Sequence, residues 1–94
     1  MYIVSYDISD NKVRNKIAKE LKNYGVRVQY SVFECDVNEK RYLEMYKKLL
    51  SLVADRTNES IRIYSVCENC KQKIVTIGNP IEELELFSQD TIVI

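Results

Sequence analysis

Histidine is absent from this chain of 94 residues, which holds one proline and two glycines and no apolar run near the ~20 residues of a membrane span. Without histidine the usual general base is missing. Nor can one chain complete a four-ligand zinc site from three cysteines. Cys67 and Cys70 form a C-x-x-C far in sequence from Cys35. A metal pooled across two chains or a redox pair stays conceivable, but a reactive pair is expected to open a helix. This one follows a strand-like run, so three plain thiols are expected. Scarce glycine and proline, with 46% hydrophobic and 30% charged residues, describe a compact globular chain and exclude a disordered one. The first residues lack the basic start and cleavage site of a secretory signal, so the cytoplasm is the expected compartment.

Net charge is also lacking, since 14 basic residues balance 14 acidic ones, and a neutral total argues against a general nucleic-acid binder. The charge is nevertheless sorted. Residues 1–30 hold Lys12, Arg14, Lys16, Lys19, Lys22 and Arg27 against Asp7, Asp10 and Glu20, for +3; residues 31–77 carry +1; residues 78–94, with Glu82, Glu83, Glu85 and Asp90, carry −4. A basic front and an acidic tail result, compatible with a binding face or with solvated surfaces that happen to segregate. So short a chain leaves roughly a third of its extended surface exposed, which makes a homo-oligomer a fair expectation.

What is present reads as one domain. YIVSYDI (2–8) alternates Tyr2, Val4, Tyr6 and Ile8 against Ile3, Ser5 and Asp7, the period of a strand. Asp7 is out of place in a strand interior, so it either marks the strand's end or does chemistry. Asp10 suits an N-cap, and Val13, Ile17, Leu21 and Tyr24 recur at helical spacing up to a Gly25 stop. Lys12, Lys16, Lys19 and Lys22 occupy the opposite face. In VRVQYSVFECDV (26–37) the alternation slips by one residue near Tyr30 to Val32, which predicts a bulge or two short strands. Asn38 caps a second helix with a stripe of Leu43, Tyr46, Leu50 and Val53, widened by Met45, Leu49 and Leu52. After a DRTNES loop, SIRIYSV (60–66) and KIVTI (73–77) read as strands joined by CENCKQ, before the Gly78-Asn79-Pro80 break and a tail ending TIVI.

The order strand, helix, extended pair, helix, strand, strand and tail predicts an α+β ferredoxin-like βαββαβ sandwich over 1–78, with both helices on one sheet face and a C-terminal strand segment in 79–94. The uncovered sheet face would serve dimerisation or nucleic-acid binding.

VSYDISDNKVRNKIAKELKNYGVRVQYSVFECDV resembles the first third of the CRISPR-associated protein two family, carrying its YDI, R-x-K helix and R-V-Q-Y-S-V-F segments. After about residue 66 the likeness is one of architecture. The resemblance implies a homodimer that partners the spacer-acquisition integrase, with C-terminal strands crossing to the partner; TIVI would be the donated strand. It further implies that Asp7 of each chain meets its twin and that both carboxylates hold Mg²⁺ or Mn²⁺. Two such carboxylates would otherwise repel, and the ion lowers the pKa of a water able to attack a phosphodiester. With no histidine, cleavage would rise with pH.

Carried over by the resemblance as catalytic are Tyr6, Asp7, Arg14, Arg27, Ser31 and Phe33, with Lys12, Arg14, Lys16, Lys19 and Arg27 facing nucleic acid. Packing is the competing role for Tyr6 and Phe33, solvation for Arg14, and capping for Asp10. Lys16, where some relatives have arginine, keeps the charge but loses the fork. Two functions remain open: a metal-dependent endonuclease on RNA or duplex DNA, or a scaffold that binds duplex DNA and bridges integrase dimers without cutting. A toxin-like ribonuclease of the similar virulence-associated D family is a weaker third.

Overall fold

The computed structural model describes residues 1–78. The expected tail strand and its exchange between subunits lie outside those residues. The elements are β1 (Tyr2–Asp7), α1 (Asn11–Leu21), β2 (Val26–Gln29), β3 (Val32–Cys35), α2 (Glu39–Val53), β4 (Ser60–Ser65) and a one-turn helix α3 (Glu68–Lys71). The four strands form one antiparallel sheet in the order β2-β3-β1-β4, the ferredoxin-like arrangement expected from the sequence.

Local chemistry sets the boundaries. The Asp10 carboxylate accepts hydrogen bonds from the N–H groups of Lys12 and Val13 at 2.9 and 3.2 Å, satisfying donors that α1 leaves open. Asn38 does the same for α2 through the Arg41 N–H at 2.9 Å. The slip in 26–37 resolves into two short strands, turned at Tyr30 and Ser31. A register shift between Arg27 and Gln29 makes Val28 an extra residue opposite β3.

The core lies between the sheet and the two helices. Val4, Ile17, Leu21, Phe33, Cys35 and Met45 are wholly buried, with Tyr6, Ile8, Tyr24 and Leu49 nearly so; each such large apolar side chain contributes about 1.5–3 kcal/mol. The alternation of β1 and the stripe of α1 thus point where the periodicity placed them. Burial also pushes the Cys35 thiol up to about 11.

Four expectations are corrected. The buried line of α2 is Met45 and Leu49, flanked by Tyr42, Leu52 and Val53, whereas Leu43, Tyr46 and Leu50 of the expected stripe are about half exposed. The apolar side of α2 is broad, and the partners it packs on, here α1 and β4, select which part of it is buried. Gly25 is not a left-handed stop; Gly78 is the positive-φ glycine among the described residues. A Cβ at Gly25 would strike the Glu34 carbonyl and come 2.7 Å from Cys35 Cα, so its small size admits the close approach of β3.

Residues 73–77 form no strand. The turn of α3 directs them across the open sheet face, where residues 74–77 run beside Ile3, Val28, Val32 and Glu34, and the outer edge of β4 carries no strand among the described residues. Finally, the C-x-x-C does open a helix: Cys67 caps α3, its sulfur accepting the Cys70 N–H at 3.4 Å, and this N–H holds the Cys67 thiol below its ordinary value. A strand-to-helix junction of one turn is too short to read from periodicity.

Candidate nucleic-acid interface and metal-binding carboxylate

Alternation along β1 buries Tyr6 and turns Asp7 outward at the strand's last position. The following Ile8 side chain is again buried, so the exposed carboxylate sits between two anchored neighbours. Asp7 is opposite Ser60 of β4. On its other side, the Tyr6 N–H donates to the Ser31 carbonyl at 3.1 Å, continuing the β1–β3 register that pairs Ser5 with Val32. The Tyr30-Ser31 turn therefore flanks the same end of the sheet.

Arg14 reaches this end from the first turn of α1. Its guanidinium donates to the Ile8 carbonyl at 3.1 Å and to the Asn11 side chain, and stands 5.9 Å from the centre of the Tyr30 ring. Arg27 approaches from β2, at 6.0 Å from Tyr30 and 5.4 Å from Phe33. Its Nε is buried without a hydrogen-bond partner among the described residues. Neither arginine belongs to any of the ion pairs among those residues. Two cations thus converge on one exposed tyrosine with no carboxylate to neutralise them, an arrangement that attracts an anion.

Behind the site, charges are fully paired. Glu59 accepts from the Ser9 hydroxyl at 2.6 Å and its N–H at 2.8 Å and pairs with Arg56, which also binds Asp10 at 3.1 Å. The Ser9 hydroxyl, followed by Arg56 and the Ser9 N–H, holds Glu59 down at about 2. Asp10 is lowered too, chiefly by the Val13 N–H. The clamp ties the Ile8–Asp10 segment, directly after Asp7, to the start of β4.

Of the residues expected from the sequence, Arg14 and Arg27 approach the Tyr30-Ser31 turn, whereas Asp7, at the end of β1, faces the other side of the sheet from the buried Tyr6 and Phe33 on which Arg27 packs. The ring centres of Tyr6 and Phe33 are 6.4 Å apart. Lys12 is exposed at the start of α1. Lys16 and Lys19 stand apart, along a groove with Glu20, Asn23 and Leu52. Sequence reasoning missed Tyr30, although an aromatic at the tip of a hairpin turn was a usable signal, and it missed Arg56 and Glu59. Their i,i+3 spacing in DRTNES hinted at a pair; the reach to Ser9 and Asp10 did not show.

The donor set at Asp7 suits a hard divalent cation. Its carboxylate is exposed and, among the described residues, engages in no ion pair or side-chain hydrogen bond. Magnesium takes one or two carboxylates and keeps several waters. No group of three or more possible metal-ligating side chains occurs among the described residues, so within one chain the ion would rest on Asp7.

Residues 1–74 match the family model described as CRISPR associated protein Cas2. The chain belongs to the Cas2 family. A Cas2 relative from Chloroflexus aurantiacus, named CRISPR-associated endoribonuclease Cas2 1, is 45% identical over 78 residues, covering 83% of this chain and 84% of its own. The crystal structure of Streptococcus pyogenes Cas2 superposes with a TM-score of 0.71 at 32% identity, covering 82% of this chain and 98% of that one. A chain in a partial Cas6-RT-Cas1–Cas2 complex gives 0.68 at 30% identity, covering 85% and 88%. The Cas2 likeness thus spans the whole described sandwich. No helix among the described residues is long and apolar enough to cross a membrane.

Proposed function

We propose that this Cas2-family chain is a metal-dependent endonuclease of CRISPR adaptation, acting on RNA or DNA in the cytoplasm as a homodimer whose two Asp7 carboxylates share one site. What supports this reading is the exposed Asp7 closing β1, without an ion-pair partner among the described residues, together with two arginines near the Tyr30-Ser31 turn that likewise have no carboxylate partner among those residues. A magnesium or manganese ion held by Asp7 would neutralise charge on the scissile phosphate and acidify a water.

The chain's own groups supply the rest. Arg14 and Arg27 would grip phosphate oxygens with their planar forks, positioning the strand. Ser31, half-buried in the turn, offers a hydroxyl to the same phosphate, and the buried Tyr6 and Phe33 hold the floor under Arg27. The name of the Chloroflexus relative, an endoribonuclease, supports the reaction class.

The second reading is a scaffold that binds duplex DNA and bridges integrase dimers without cutting. It is favoured by the similar chain found in a complex with Cas1. Asp7→Asn separates the two. Wild type and variant are compared on labelled single-stranded RNA and duplex DNA, with Mg²⁺ or excess chelator, recording cleavage and binding together. On the nuclease reading only wild type with metal cleaves, the variant losing about a hundredfold or more while binding and dimerising normally. If both proteins bind duplex alike and neither cuts, the scaffold reading stands.

A further inference from the structure

The opposite end of β1 from Asp7 holds two exposed thiols that the proposed chemistry at Asp7 does not use. Val66, just before them, is tied to the start of β1: its N–H donates to the Met1 carbonyl at 2.8 Å, and the Met1 ammonium donates to the Val66 carbonyl at 3.2 Å. Cys67 follows at once as the cap of α3, and Cys70 lies three residues on. Both are exposed, whereas Cys35 is buried in the core. Beyond them Lys71 pairs with Asp36, which directly follows β3. The thiols are thus carried on a turn anchored at both ends.

The geometry of that turn suits a bond between them. Side chains three residues apart on a helical turn have Cβ atoms about 5–6 Å apart and a disulfide needs about 3.5–4.5 Å, so closure asks for a tightening of roughly 1–2 Å. With one turn only, α3 has no further helix to resist it. The Cys67 sulfur already accepts the Cys70 N–H at 3.4 Å, which holds the backbone of the second residue against the first sulfur and favours a Cys67 thiolate. Burial pushes Cys35 up to about 11, so that thiol stays protonated and outside any exchange. Cys67 is therefore placed to attack and Cys70 to resolve.

We propose that Cys67 and Cys70 form a reversible dithiol–disulfide site, closed by exchange with a low-molecular-weight disulfide of the glutathione class, and that closure fixes the turn from which residues 73–77 leave for the open sheet face. The Cys67 thiolate attacks one sulfur of the small disulfide, forming a mixed disulfide and releasing one small thiolate. Cys70 then gives up its proton and attacks the Cys67 sulfur, releasing the second. Two protein thiols are oxidised, and one small disulfide is reduced to two thiols. A helix of four residues is marginal alone, and a covalent link across it removes its open conformations. The N–H groups of Lys71, Gln72, Lys73 and Ile74, which donate to the carbonyls of Cys67, Glu68, Cys70 and Lys71, then exchange with solvent less often.

The test equilibrates the full chain in glutathione buffers running from reduced to oxidised, quenches with acid and an alkylating reagent, and maps the products by mass spectrometry. Wild type, Cys67→Ser and Cys70→Ser are compared. Wild type is expected to lose the Cys67 and Cys70 thiols together, as a link within one chain, with Cys35 still free and with full return on adding dithiothreitol. Cys70→Ser should stop at a glutathione adduct on Cys67. Cys67→Ser should form its adduct on Cys70 several-fold more slowly. In wild type, amide hydrogen exchange at residues 71–74 should be several-fold slower in the oxidised form than in the reduced.

Absence of the link at every buffer composition overturns the site, and so does linkage through Cys35 or between chains. Equal adduct rates for the two variants overturn the assignment of Cys67 as the attacking thiol. Equal exchange at residues 71–74 in both redox forms overturns the effect on the turn. None of these readouts involves Asp7 or nucleic acid, so the dithiol site and the endonuclease reading stand or fall separately.

Discussion

Two sets of arginines stand near the end of β1, and they differ in one respect. Arg56 sits between Asp10 and Glu59, and Glu59 is completed by the Ser9 hydroxyl and N–H. Arg14 and Arg27 share a tyrosine ring and have no carboxylate among the described residues. Charge that is neutralised within the fold holds the fold; charge left without a carboxylate partner is available to a ligand. Neither half of this contrast follows from residue type, since all three are arginines within hydrogen-bonding or ring contact of their neighbours.

The largest test of the contrast exchanges the two roles. Arg27→Ala should weaken single-strand binding by about tenfold and lower the slope of log affinity against log salt by about one, with a melting temperature equal to wild type or higher, because an unpartnered Nε has been removed. Arg56→Ala should do the reverse, lowering the melting temperature while leaving the salt slope intact. Equal falls in melting temperature for both variants would dissolve the distinction.

Acid offers the next test. Glu59 titrates at about 2 in the folded chain against an ordinary 4.5, so the unfolded chain takes up that proton first as pH falls. Its contribution to stability is complete above about 4.5 and is lost as pH drops towards about 2. Glu59→Gln should be less stable than wild type at neutral pH and should show a shallower loss across that window, read by denaturant midpoints at successive pH values. Parallel curves would mean that the clamp does not act through the Glu59 charge.

The smallest effect is expected for Arg27→Lys, which keeps the charge. Its salt slope should match wild type while affinity falls by only a few-fold, from the lost fork and the weaker stacking on Tyr30 and Phe33. A fall as deep as that of Arg27→Ala would make geometry, not charge, the dominant contribution of Arg27.

Much of this architecture was legible before any coordinates. Strand alternation in 2–8, the Asp10 and Asn38 caps, the Val13-Ile17-Leu21-Tyr24 stripe and the slip in 26–37 are local signals, and each has its expected structural counterpart. The centre of the buried α2 face was not legible, because the apolar side of that helix is broad and only its packing against α1 and β4 selects Met45 and Leu49. KIVTI has strand composition, but composition cannot supply a partner edge, and after α3 those residues run beside the open sheet face instead.

For the site, the sequence by itself determined that an aspartate closes the first strand and that arginines occur at positions 14 and 27. It also determined that Asp10 caps the helix that carries Arg14. Which cations are spent and which are spare was decided only by the tertiary structure. Arg56 meets Asp10 across a separation of 46 residues, and Arg14 and Arg27 converge on Tyr30 through a sheet order that no local pattern encodes. Short-range hydrogen bonds and periodic burial act between neighbours in the chain and can be read along it. Neutralisation of one charge by another depends on distance in space, and the fold sets that distance.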